Sequence, residues 1–406
     1  MSAPSEALLP VEDALARVLD GVATLPAEEI PIGEAHGRVL AAPLASLRTQ
    51  PPADVSAMDG YAARAADLSG AQPKLKIIGQ SAAGRPFSGT VKAGEAVRIF
   101  TGAIMPVGAD AVVPQEDANA EGDDVSLPAA PAGKFVRKRG LDFVQGKVML
   151  EAGRRLTSRD LGLAAAMDHA RIKVARRPRV AIIATGDELV PPGAGGDPNR
   201  IIASNPIALA ALLRQENALV SDLGIVPDKL DATIAAIHLA RDNVDVLITL
   251  GGASVGDHDL IAPALKAEGI TLAFHRVALR PGRPLLLGLA GNLRVLGLPG
   301  NPVSSYVCAV LFLVPLLRKL QGRADVAPVT EPAILGVDLP ANDHRQDYLR
   351  ARIARGADGR LVATPQDRQD SSLQALLVGS DGLLIRAPNA PAARTGSPCE
   401  VLRFAD

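Results

Sequence analysis

Between Arg179 and Gln321 short apolar runs alternate with helix-like stretches, and no other feature restricts the fold as much. VAIIATGDE, LVSDLGIV, VDVLITL, TLAFHRV, LLLGLA and LRVLGL read as strands. NPIALAALLRQENA, DATIAAIHLARD, LIAPALKAEG and NPVSSYVCAVLFLVPLLRKLQ read as helices. Asn205 and Asn301 are expected as N-caps, each with a proline directly behind it at the first helical position. Such alternation implies a parallel, doubly wound sheet with right-handed crossovers.

The flanks differ in texture. VEDALARVLDGVATL has helical apolar spacing and reads as an opening amphipathic helix. From about Pro31 to Lys147, short β-rich pieces (KLKIIGQ, AVRIFTG, DAVVPQ, KFVRKR) are separated by Gly, Pro and Asp. EAGRRLTSRDLGLAAAMD returns to helix. Beyond the Pro-rich DVAPVTEPA, the chain reads as a small β domain. The length of 406 residues fits roughly two to four domains.

Composition excludes several classes. Lys plus Arg number 43 against 44 Asp plus Glu, so there is no general pull toward nucleic acid or an anionic membrane. Aromatics are 2% and Trp is absent, which argues against a base-stacking surface. Cys308 and Cys399 lie outside any CxxC or His-rich cluster, and Cys308 is expected in the core. The N-terminus lacks a basic-then-apolar signal, and YVCAVLFLVPLL is too short to span a bilayer and contains Pro315. A cytoplasmic location is the default expectation.

Ligands of open parallel sheets bind outside the carboxyl ends of the strands. Four loops here are expected at such ends: ATGDE (Ala184 to Glu188), GGASVGDHD (Gly251 to Asp259), PGRP (Pro281 to Pro284) and LPGNP (Leu298 to Pro302). Glycines admit close backbone approach, and a helix N-terminus adds partial positive charge, so the set suits phosphate or another oxyanion. Asp187, Glu188, Asp257 and Asp259 border the same loops. Carboxylates beside phosphate need an intervening cation, and Mg²⁺ commonly serves with one or two carboxylates. Arg280 and Arg283 flank PGRP and offer paired donors to an oxyanion. Glu188 also reads as a helix-capping acid, Asp257 as a solvated one, and His258 and His275 as packing or surface residues. No HExxH, P-loop or Ser–His–Asp pattern is present. In the β-rich part, Asp59, Thr101 and Asp142 sit in turn-like stretches that composition alone would call surface turns.

SAMDGYA, FTGA-MP-GADAVVPQED, ATGDEL, GG-S-G--D, PG-P and GLPGNPVS follow one another in this order. The ordered set resembles the MoeA and gephyrin E-domain family, the molybdopterin molybdenumtransferases, over about Pro10 to Arg403. The resemblance implies an α/β multidomain subunit. Its parts are a helical stem (1–45 and 147–177), a β-rich insert (46–146), a doubly wound, mostly parallel molybdopterin-binding domain (178–326) and a C-terminal β-barrel-like domain (327–406). It implies a homodimer in which one subunit's insert completes the other's pocket. The implied reaction inserts molybdate into adenylyl-molybdopterin with Mg²⁺-dependent release of AMP.

The resemblance also implies residue roles. Asp59, Thr101 and Asp142 would act from the insert. Glu188 and Asp259 would act near Mg²⁺. Thr185, Gly186, Asp187, Gly251, Gly252, Ser254, Gly256, Pro299, Gly300, Asn301 and Pro302 would line the phosphate pocket. Arg280 and Arg283, at positions where the family usually has Lys, would hold molybdate with Ser304, Arg350 and Ser371 or Ser372. Ala53, QDSS and the stretch at Asp381 depart from the family pattern. A contact with the molybdopterin adenylyltransferase is a further implied partnership. The rival readings are the adenylylation step, a scaffold, and tungstate as the oxyanion. The insert and C-terminal domain argue against the first, and the absence of a second doubly wound domain argues against the second.

Overall fold

The computed structural model describes residues 8–70, 72–251 and 260–404. The sheet between Arg179 and Leu298 has six strands. Their order is Leu219–Val226, Arg179–Thr185, Val246–Leu250, Leu293–Leu298, Pro284–Ala290, Thr271–Arg276. The first four run parallel, and Pro284–Ala290 runs antiparallel to both its neighbours. The sheet is therefore mostly parallel, with one reversed strand.

Both faces of its central strands are covered, which is why those strands read as mostly apolar runs, whereas the edge strand Leu219–Val226 is largely exposed. Val180, Ile182, Ala184, Ile248 and Leu250 pack in one cluster with helices Asn205–Gln215 and Pro302–Leu320. Ala181, Ile183 and Leu247 point the other way, into a cluster with helices Leu230–Arg241 and Ile261–Ala267. Pro302–Leu320 is one 19-residue helix with a widened turn at Ala309–Leu313 just before Pro315. It extends beyond the apolar run seen in sequence and is long and apolar enough to cross a membrane. Yet 83% of its most apolar window is buried inside the protein, so here it is a core helix.

Five C-terminal strands close on themselves in the order Gln346–Arg355, Leu361–Pro365, Glu331–Leu335, Pro398–Arg403, Gly382–Arg386, the last pairing back to the first. Closure leaves this small β domain without a free edge. A short strand, Leu279–Arg280, runs parallel to Gln346 and Asp347 and joins the barrel to the doubly wound domain.

The opening helix, Val11–Leu19, packs on the doubly wound domain through Val11, Ala14 and Val18. A separate core, including Leu40, Phe143, Leu156, Met167 and Val174, holds the stem. There Ala27–Pro31 pairs with Arg171–Ala175, and helix Ser158–Ala166 starts at a capping box between Thr157 and Asp160. The β-rich insert is a six-stranded sheet with cores of its own. Gly60 is needed there, because a Cβ would collide with the carbonyl of Val113 on the neighbouring strand. Among the described residues, no hydrogen bond or ion pair joins residues 51–140 to residues 178–404.

Candidate functional site

Three parallel strands end at one rim. Thr185 Oγ1 donates to the Leu250 carbonyl at 3.4 Å, and Gly251 N–H donates to the Leu298 carbonyl at 3.4 Å. Gly251 has φ +86°, and a Cβ there would stand 2.8 Å from the Thr185 carbonyl oxygen. A Cβ on Gly300 would stand 3.8 Å from Gly251 Cα. Thr185, Gly251 and Gly300 thus bring their backbones together, and Pro299 and Gly300 lead straight into the helix that begins at Pro302. PGRP reaches the same end by a different route than expected. It precedes the reversed strand, so it lies at that strand's amino end, beside the carboxyl ends of the others.

Both expected asparagine caps differ from the sequence reading. The helix Asn205–Gln215 has Ser204 at its N-cap, with Asn205 already helical. The Asn205 amide instead donates to the Gly300 carbonyl at 2.6 Å and braces the LPGNP loop. Asn301 does occupy the N-cap position, but its side chain makes no cap bond. Its Nδ2 donates to Ser371 Oγ at 2.8 Å, while Val303 N–H donates to the Ser371 carbonyl at 3.1 Å. Ser371, from the barrel domain, is thereby held at the helix start, with Ser304 buried in the first turn. Ser372 binds Asp370 locally.

The acids of ATGDE divide. Asp187 pairs reciprocally with Asp228: each backbone N–H donates to the other's carboxylate, at 3.3 and 3.1 Å. Arg200 donates to the Asp187 carbonyl. Glu188 is exposed, and its carboxylate folds over Gly186, 2.6 Å from where a Cβ would stand. Among the described residues no hydrogen bond reaches its carboxylate, so the carboxylate oxygens remain available; its backbone carbonyl accepts from Ile201 N–H at 2.8 Å. Gly252, Ser254, Gly256, Asp257, His258 and Asp259 lie outside the described residues.

The arginines also divide. Arg280 does not stand free as an oxyanion clamp. Its Nε donates to Asp347 Oδ1 at 2.7 Å, Nη2 binds Asp347 Oδ2 and also Asn342 Oδ1 at 3.1 Å, and Nη1 lies 3.5 Å from Asp343. The hydrogen bond to Asp347 raises the Arg280 pKa. Arg350 is 1% exposed, donating to the carbonyls of Leu373 and Arg368 at 3.1 Å each and sharing Gln369 Oε1. Burial lowers its pKa. In this structure Arg350 is the strut of the loop that carries Ser371 rather than an open ligand. Arg283 is exposed and makes no side-chain bond among the described residues. Beside it lies Arg276, which the sequence reading missed although HRVALRPGR carries three arginines; the Arg276 register partner is Pro284. Both line a cavity of about 940 Å³ that also meets Arg345, His344, Glu12 and Asp13.

On the insert, Thr101 donates to Asp59 Oδ1 twice, from its N–H at 2.7 Å and its hydroxyl at 2.8 Å. These bonds, the backbone one foremost, hold the Asp59 pKa below the usual carboxylate value. Asp142 is exposed, its N–H donating to the Gln50 carbonyl at 3.1 Å. His275 is half-buried in its strand, and Cys308 is fully buried with its thiol pKa pushed up by desolvation.

Residues 9–167 match the family model of the MoeA N-terminal region (domains I and II). Residues 181–319 match that of a probable molybdopterin binding domain, and 332–404 that of the MoeA C-terminal region (domain IV). A molybdopterin molybdenumtransferase of Nostoc sp. is 38% identical over 79% of this chain and 76% of its own. That of Bacillus subtilis is 31% identical over 97% and 94%. The crystal structure of a molybdopterin biosynthesis MoeA protein from Pyrococcus horikoshii superimposes with a TM-score of 0.85 at 30% identity, covering 98% of this chain and all of that one. With three family models in order along its length and relatives matched nearly end to end, the chain belongs to the MoeA family of molybdopterin molybdenumtransferases.

Proposed function

We propose that this transferase of molybdenum cofactor biosynthesis acts on adenylyl-molybdopterin, inserting molybdate and releasing AMP with Mg²⁺. The meeting of Thr185, Gly251 and Gly300 at a helix start carries the reading. Glycine backbone at two strand ends, beside the start of the Pro302 helix, lets a pyrophosphate approach the main chain.

The donor chemistry beside it fits Mg²⁺. Glu188 offers an exposed carboxylate, and oxygen is the ligand type Mg²⁺ prefers. Among the described residues no group of three or more acidic, His or Cys side chains could hold a metal alone. That suits an ion shared between Glu188, Asp259 and substrate phosphates. When bound, Mg²⁺ supplies charge neutralisation at the phosphate oxygens. The residues of the chain do the rest. The glycine loops and the Pro302 helix start orient the pyrophosphate, and Arg283 with Ser304 and Ser371 faces the oxyanion. Asp59 and Thr101 approach from the partner subunit's insert in a homodimer. Catalysis is by position and electrostatics, with no side-chain nucleophile. A cytoplasmic location and a handover contact with the molybdopterin adenylyltransferase belong to the same reading.

AMP release from adenylyl-molybdopterin, with Mg²⁺ and molybdate each omitted in turn, tests it. Release that requires both is expected. Nucleotide that binds but stays intact in the complete mixture would leave only a binding protein.

A further inference from the structure

Beside the Asp59–Thr101 turn sits an arginine that no motif marks. Arg98 faces Tyr61 directly across two antiparallel strands of the insert. Its guanidinium carbon stands 4.9 Å from the Tyr61 ring centre and 5.2 Å from that of Phe100, so two rings hold it in place. One nitrogen, Nη2, donates to the Gln115 side chain, whose backbone N–H in turn donates to the Asp59 carbonyl at 3.0 Å. Gln115 therefore fixes Arg98 and Asp59 in one frame. No ion pair joins Arg98 to Asp59 or to any other acid among the described residues. Among the described residues no hydrogen bond uses the guanidinium's Nε or Nη1, and the group sits half-buried and pre-oriented.

The rim supplies a reason for such a group. Arg280 is engaged by Asp347, Arg350 by backbone carbonyls, and the exposed acids Asp187 and Glu188 stand next to the glycine loops. Arg276 and Arg283 are unpaired among the described residues, but they share their cavity with Glu12 and Asp13, and a pyrophosphate with molybdate carries more negative charge than they offset. We infer that Arg98 is a phosphate-binding residue delivered by the insert, pairing with the substrate's phosphate oxygens when one subunit's insert meets the partner's rim. The ligand class is a phosphoanhydride, held by charge-assisted bonds from Nε and Nη1. The inference rests on the proposed function, because it places the insert at the partner's site.

The experiment compares Arg98→Ala, Arg98→Lys and Asp59→Asn in the full-length protein, measuring AMP release, inhibition by AMP, and thermal midpoint. Arg98→Ala is expected to raise KM and the inhibition constant for AMP roughly ten- to a hundredfold, the range of one charge-assisted bond. Arg98→Lys is expected to recover part of this, and the midpoint to change little. Mixing Arg98→Ala subunits with Glu188→Ala subunits is expected to restore activity, since half the sites of a mixed dimer then carry neither change. If Asp59→Asn cripples turnover while Arg98→Ala leaves KM and AMP inhibition at wild-type values, the inference about Arg98 is wrong and the function stands. If both variants are silent while AMP is still released, the insert is not part of the site: its placement at the partner's rim and the inference about Arg98 both fail, and the transferase reading stands. A fall in thermal midpoint that Arg98→Lys shares, without a change in KM, would mark Arg98 as a packing residue only.

Discussion

Arg280 and Asp347 form a two-pronged ion pair between the short strand Leu279–Arg280 and the barrel, with Nε 2.7 Å from Oδ1 and Asp347 only 3% exposed. The pair lies beside the short parallel pairing of Leu279–Arg280 with Gln346 and Asp347, and so fixes how the barrel meets the doubly wound domain. Its two ends are unequal. The Arg280 side chain is 45% exposed, whereas that of Asp347 is 4% exposed.

Removing the arginine therefore strands a buried charge, and removing the acid does not. Arg280→Met is expected to cost about 2–3 kcal/mol and Asp347→Asn about 1 kcal/mol. Urea unfolding of the two variants gives the comparison; equal losses would contradict the asymmetry.

Arg350 is expected to act on molybdate only through the loop it supports. Arg350→Lys loses the fork that spans the Leu373 and Arg368 carbonyls, leaving buried acceptors unmatched at a cost of about 2–3 kcal/mol. Hydrogen exchange at 369–373 should accelerate in this variant. A variant with unchanged exchange but weakened oxyanion binding would restore a direct ligand role.

Asp59 and Thr101 are expected to matter for turnover rather than folding, because their hydrogen bonds lie at an exposed turn. Asp59→Asn is expected to reduce AMP release by about 10²-fold or more, within the range for one positioned electrostatic group. Its thermal midpoint should match wild type.

Glu188→Gln keeps shape and loses charge. The Mg²⁺ concentration for half-maximal AMP release is expected to rise about tenfold, equivalent to about 1.4 kcal/mol. A Mg²⁺ titration with an unchanged midpoint would remove Glu188 from the metal's ligands.

Asp160 links the stem to pH. Burial pushes its pKa up, but the Thr157 N–H, the Arg154 guanidinium and the Thr157 hydroxyl together pull it below the usual 3.8. A carboxylate lowered on folding stabilises the native state above its unfolded value and loses that contribution as pH falls through the folded one. Stability should thus decline below about pH 4 more steeply in wild type than in Asp160→Asn. At neutral pH the variant is expected to be about 1 kcal/mol less stable, the usual worth of a cap.

Local rules carried much of this molecule. The central strands Arg179–Thr185, Val246–Leu250 and Leu293–Leu298 are mostly apolar because helices cover both faces. Gly251 follows one of them because its positive φ and the nearby Thr185 carbonyl leave no room for a side chain there. The strand–helix alternation and the acids and glycines at strand ends were therefore readable in order along the chain, and so was the family.

Only tertiary structure decided which charged groups are free. Arg276, Arg280 and Arg283 are near neighbours in sequence, yet among the described residues Arg280 alone of the three pairs with acids, Asp343 and Asp347 from the barrel. Arg350 resembles any other barrel arginine until the 368–373 loop closes over it. Arg98 acquires its ring contacts through strand register and a turn. Strand period and glycine conformation are local properties and are written locally. A guanidinium's partner is set by three-dimensional contact between distant segments, so a basic residue's role emerges only once the chain has folded.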